Sequence, residues 1–142
     1  MATYACALRT NYFRVKDEDA FLALMSRIYP SVTVFDREED GVKFFGFGTY
    51  DGIAGLKNAV ADEDDDADEA NYDEFISELQ KCVADDDAII ILESGHEKLR
   101  YVTGIAEIIT ANAYKAVHIQ EIASQMAAQM LGQPSWTTRC EY

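Results

Sequence analysis

Two histidines, three cysteines and 26 carboxylates are the groups with which this 142-residue chain can do chemistry. His96 sits in Ser94-Gly95-His96-Glu97-Lys98, near Glu93 and Arg100. An imidazole beside a carboxylate can trade protons near neutral pH. A Ser94/His96/Glu97 triad is not expected, because three side chains so close in one short segment do not reach triad geometry. The plainer reading is an exposed turn histidine. His118 reads as a packed or half-exposed strand residue. Cys6, Cys82 and Cys140 form no CxxC pair, and no His/Cys/Asp group has zinc spacing. Cys6 and Cys82 read as small core residues and Cys140 as an exposed thiol near the end. No catalytic residue, cofactor-binding residue or metal ligand is assigned, and no cofactor is expected.

The carboxylates are the stronger signal. Asp62, Glu63, Asp64, Asp65, Asp66, Asp68 and Glu69 leave only Ala67 between them without a charge. A run like this cannot enter a core and stays in water. An EF-hand beginning at Asp62 fits at Asp64 and Asp66. It fails at Ala67, where the turn needs Gly, and at Asp73, where the bidentate Glu belongs. Loose attraction of divalent cations needs no built site. Asp85-Asp86-Asp87 and Glu38-Glu39-Asp40 add two further acidic clusters.

With 26 acids against 12 bases, the net charge is −14. Phosphate binding needs clustered Lys and Arg, so direct contact with nucleic acid is not expected. Anionic membrane surfaces repel such a chain. The field favours cations or a basic protein partner, or it serves solubility alone. The four cations Arg9, Arg14, Lys98 and Arg100 can grip an anionic small molecule or pair with the acidic loops, pairing being the more economical use in so acidic a chain.

Gly46-x-Gly48 followed by Gly52 and Gly55 has the wrong spacing for a dinucleotide loop. Gly in a strand marks a bulge or a close approach of another backbone. Gln120-Glu121-Ile122-Ala123 suggests the first helix of a helix-turn-helix, but no basic recognition helix follows. No basic segment followed by an apolar stretch opens the chain, and the run Ala88–Leu92 is too short for a bilayer. A cytoplasmic protein with reduced thiols is expected.

Residues 1–134 are expected to form one α+β domain with an acidic surface loop at 61–70, and residues 135–142 a tail. Hydrophobic residues make up 49% of the chain, enough for a core. Thr3–Val15 reads as a long strand with a bend at Asn11, and Asp17–Tyr29 as a helix stopped by Pro30. Ser31–Asp36 and Val42–Tyr50 form a hairpin around Arg37–Gly41. Residues 51–61 fit either a short helix or an ordered loop. Asn71–Val83 is a capped helix with Tyr72, Phe75, Ile76, Leu79 and Val83 on one stripe. Ala88–Glu93 reads as a strand buried on both faces, followed by a polar loop at Ser94–Lys98. Leu99–Thr110 and Tyr114–Ile119 form a hairpin around Ala111-Asn112-Ala113. Gln120–Leu131 is a helix ended by Gly132 and Pro134. Its stripe of Ile119, Ile122, Ala123, Met126, Met130 and Leu131 reads as core, or as a dimer seam. The order β-α-β-β-α-β-β-β-α implies a mainly antiparallel sheet of five to six strands with helices against one face.

The stretch Tyr4–Phe21, with Asn11-Tyr12-Phe13-Arg14-Val15-Lys16-Asp17, and the segment Glu97–Gly104 resemble small uncharacterised acidic proteins carried by phages and conjugative elements of gut bacteria. The resemblance implies a host-interaction role and supplies no site residues. By analogy with acidic imitators of nucleic acid, it implies a non-enzymatic protein of a mobile element whose surface of Asp62–Glu69, Asp85–Asp87 and Glu38–Asp40 occupies the basic groove of a host nucleic-acid-binding protein. Two alternatives stand beside it. One is a small-molecule-binding or enzymatic domain with a pocket near Tyr12, Arg14, His96 and Arg100. The other is a structural homo-oligomer sealed by an edge strand or the last helix.

Overall fold

A computed structural model describes residues 4–57 and 70–141. The elements run β1 (Ala5–Thr10), α1 (Glu18–Ser26), β2 (Ile28–Tyr29), β3 (Thr33–Glu39), β4 (Val42–Thr49), β5 (Gly55–Leu56), α2 (Tyr72–Cys82), β6 (Ile89–Glu97), β7 (Tyr101–Ile109), β8 (Tyr114–His118) and α3 (Ile119–Leu131). Six strands form one antiparallel sheet in the order β3-β4-β1-β6-β7-β8, and β2 pairs with β5 in a small second sheet. The α+β class, the element order and the antiparallel pairing agree with the sequence pattern.

Local chemistry sets most boundaries. The Asp17 side chain caps α1 by accepting from the Ala20 N–H at 3.2 Å, and Asn71 caps α2 by accepting from Glu74 N–H at 3.0 Å. Asp40 and Gly41 both have positive φ, 54° and 79°. They form the two-residue turn whose twist matches a hairpin. Arg37, Glu38 and Glu39 therefore lie in β3 rather than in the turn. The first helix ends at Ser26, because Ile28 and Tyr29 leave to pair with Leu56 and Gly55. The 51–57 segment supplies β5 rather than a helix.

At Asn11 the chain leaves the sheet, as its sequence suggests. The side-chain amide takes over the ladder there. Its Oδ1 accepts from Ile90 N–H at 2.8 Å and its Nδ2 donates to Ala88 O at 3.0 Å. Beyond it, Phe13 bridges Phe45 and Val15 bridges Val83.

The core lies between the sheet and helices α1 and α2. Phe13, Phe21, Phe47 and Phe75 are fully buried there. Phe13 meets Phe21 edge-on at 5.6 Å, and Phe47 meets Phe75 at 6.2 Å. Gly48 belongs to the crossing of β4 and β1. A Cβ there would lie 2.8 Å from Leu8 O, so the close approach inferred from the Gly46-x-Gly48 pattern is a strand-on-strand one.

The strand β6 departs from expectation. Ile89 and Ile91 are buried at 0% and 1% exposure, but Ile90 and Leu92 are 37% and 55% exposed. Among the described residues, one face of the sheet is therefore open. The strand also runs on to Glu97, so Ser94–Glu97 is not a loop. The turn falls at 98–100, where Lys98 has φ 48°. The segment beyond α3 folds back. Gln120 Nε2 donates to Thr138 O at 2.9 Å, Cys140 N–H donates to Gln120 Oε1 at 3.1 Å, and Glu141 bridges Tyr101.

Candidate functional site

The acids Asp62, Glu63, Asp64, Asp65, Asp66, Asp68 and Glu69 lie outside the described residues. Asp85, Asp86 and Asp87 do not form an unpaired patch. Lys16 Nζ stands 3.0 Å from Asp85, Arg14 Nη2 stands 2.9 Å from Asp86, and the Arg14 backbone N–H donates to Asp87 Oδ2 at 2.9 Å. The hydrogen bond and charge of Asp86 raise the Arg14 pKa, with Asp87 adding to it. Asp87 Oδ1 also accepts from Ala88 N–H at 2.8 Å, so this carboxylate fastens the start of β6 to the segment after β1. In the third cluster, Glu39 pairs with Arg37 at 3.0 Å.

The four residues Tyr12, Arg14, His96 and Arg100 are not one pocket. His96 sits opposite Ala5 at one end of β1, whereas Tyr12 and Arg14 follow the other end. Seven residues of near-extended chain separate them, about 23 Å. Arg100 pairs with Glu97 at 3.6 Å, so two of the four cations weighed together, Arg14 and Arg100, are spent on their own acidic neighbours.

The structure instead brings together the open face of the sheet. The register places Ala5, Ala7 and Arg9 of β1, Ile90, Leu92, Ser94 and His96 of β6, and Val102, Gly104, Ala106 and Ile108 of β7 on it, with Lys115 and Val117 of β8. None of these positions is acidic. The carboxylates of β6 and β7, Glu93, Glu97 and Glu107, alternate onto the opposite face. The face thus combines aliphatic side chains with cations in a chain of net charge −14.

At the β3 side of this face the cations stack on rings. Arg9 lies 5.2 Å from the Phe35 ring centroid and Arg37 lies 4.9 Å from that of Tyr12. A shallow depression of about 730 Å³, bordered by Arg9, Phe35, Tyr50, Asp51, Leu92 and Ser94, opens beside them.

The opposite side of β6 and β7 holds phenols against carboxylates. Tyr4 donates to Glu93 at 2.9 Å, Tyr114 donates to Glu107 at 2.6 Å, and Tyr72 also donates to Glu107. Burial first, and then the acceptor carboxylates, push the Tyr4 and Tyr114 phenols up to about 12 and the Tyr72 phenol higher still. Burial also raises the Cys6 and Cys82 thiols, with Glu93 adding to the first and Glu78 to the second. These groups stay protonated and are poor nucleophiles at neutral pH. Among the described residues, no group of three His, Cys, Asp or Glu side chains has metal-binding geometry.

The third helix is inverted. Gln120, Ser124 and Ala128 face inward, where the returning chain covers them, and Ala128 is buried. Ile119, Ile122, Met126, Met130 and Leu131 face water, with Met130 85% exposed. The stripe expected as core or dimer seam is therefore uncovered. No sequence signal marks this, since the period of a stripe does not say what lies opposite it.

No described helix is long and apolar enough to cross a membrane. No protein-family model matches the chain, and no curated protein and no solved structure matches it.

Proposed function

We propose that this protein is a non-enzymatic interaction module that binds another protein through the open face of its six-stranded sheet. The observation that carries the reading is the sorting of charge. In β1, β6, β7 and β8 every acid faces away from the surface where Ile90, Leu92 and Val102 stand exposed beside Arg9 and Lys115. Among the described residues this aliphatic face is uncovered, and its carboxylates are confined to the β3–β4 side, where Glu39 pairs with Arg37 and Asp51 lies beside Tyr50; such a face suits a protein partner with an apolar centre. A nucleic-acid groove would need a denser cation array. The raised Cys6 and Cys82 thiols and the Tyr4, Tyr72 and Tyr114 phenols support a role without covalent catalysis at those groups.

The acidic clusters contribute differently in this reading. Asp85, Asp86 and Asp87 stabilise the fold through Arg14 and Lys16. Imitation of a phosphate backbone would call for those carboxylates without their own cations.

Affinity capture with the tagged protein, at low and high salt, separates the modes. Capture through the sheet face survives high salt and the D85N/D86N variant, and is lost in L92E/V102E. Capture that salt and D85N/D86N abolish, and that L92E/V102E leaves intact, overturns the sheet-face reading in favour of acidic mimicry.

A further inference from the structure

We infer that the sheet face is occupied by a second copy of this chain, which lays the outward stripe of its own α3 across it, so that two copies bind reciprocally about a twofold axis. The inference rests on the sheet face being a docking surface. Four observations converge on it. The stripe and the face are continuous, because Ile119, the first residue of α3, lies against Gly104 on the open side of β7. A helix that sends polar residues inward and Ile119, Ile122, Met126 and Met130 outward presents an apolar stripe that gains by being covered with something apolar.

The charge permits it. Glu121 is the only acid in α3, and it sits off the stripe, so two chains of net charge −14 can meet here without opposing carboxylates. The area is sufficient. Exposed Ile119, Ile122, Met126 and Met130, with Ile90, Leu92 and Val102, offer on the order of 800 Å² per copy, matching the ~800 Å² that one partner of a stable complex buries. Reciprocity follows from closure. One-way docking leaves a bare stripe at one end and a bare face at the other, and so grows into a filament. The twofold arrangement covers both.

Sedimentation velocity of the full chain across a concentration series tests this, with melting curves to verify folding. Met126 and Leu92 are both exposed, so M126E and L92K should fold. The wild type should be a dimer. Each variant should raise the dissociation constant at least tenfold. An equimolar mixture of M126E and L92K should regain the dimer, since one dock then pairs Glu with Lys and the other is native. A wild-type monomer at every concentration, a dimer that both substitutions spare, or a mixture that stays monomeric overturns the inference. If the wild type is monomeric but L92E/V102E still abolishes capture of a different protein, only self-docking fails. If capture also survives that variant, the sheet-face reading fails with it.

Discussion

Ile119 lies so close over Gly104 that a Cβ built on that glycine would stand 2.5 Å from the isoleucine Cγ2. The first turn of α3 is thereby seated on the open side of β7, and the direction in which the helix leaves the sheet depends on a missing methyl group. Gly104→Ala should force that turn outward and destabilise the fold by about 1–3 kcal/mol. A fall in melting temperature with the sheet otherwise intact by circular dichroism is the expected result. An unchanged melting temperature would show that the turn gives way freely.

Asp86 and Asp87 are neighbours with unequal duties. Asp87 accepts from two backbone N–H groups, those of Arg14 and Ala88, while the Asp86 side chain is 77% exposed beside the same arginine. Asp87→Ala leaves two donors short of an acceptor and should cost about 1–3 kcal/mol. Asp86→Ala should cost under about 1 kcal/mol, as exposed ion pairs do. Denaturant titration of the two variants checks the ordering, and equal losses would contradict it.

Asn11 stands in for a peptide group in the β1–β6 ladder, with one donor and one acceptor to Ala88 and Ile90. Asn11→Ala should destabilise by about 1–2 kcal/mol. Asn11→Asp should not restore the loss. It keeps the acceptor for Ile90 N–H but sets a carboxylate oxygen against the Ala88 carbonyl. Wild-type stability in the Asp variant would refute this account.

The phenols of Tyr4 and Tyr114, held near 12, titrate above an ordinary tyrosine. The folded state holds these protons more tightly than the unfolded chain. Their contribution is therefore whole below the ordinary tyrosine pKa of about 10 and is lost as pH rises from there to about 12. Phenolate absorbance should show a late-titrating group that Y4F and Y114F each diminish. The melting temperature should fall across the same window, less steeply in either variant. Coincident titration of all the tyrosines would contradict the assignment.

Elements whose signals are local were legible in the sequence. Asn71 caps α2 and carries the Tyr72, Phe75, Leu79 stripe to the core, and Asp40-Gly41 turns the β3–β4 hairpin. The bend at Asn11 was legible too, though not that its amide would replace a peptide. The lengths of β3 and β6 were not. Arg37-Glu38-Glu39 and Ser94-Gly95-His96 have the composition of loops, and the strands beside them hold them in the ladder. Tyr12 and His96 do not meet, because the antiparallel pairing of β1 with β6 sets His96 opposite Ala5, at the other end of β1 from Tyr12.

What the sequence determined by itself is which residues share a side of each element, for that follows from the twofold repeat of a strand and the 3.6-fold repeat of a helix. Only the tertiary structure decided which of those sides meets another. Ile89 and Ile90 are identical in kind, yet one is buried beneath the helices and the other is left on the open face. The Met126 stripe of α3 points to water because the returning chain covers the polar side. Burial belongs to the pair of surfaces that meet, and periodicity describes one surface at a time.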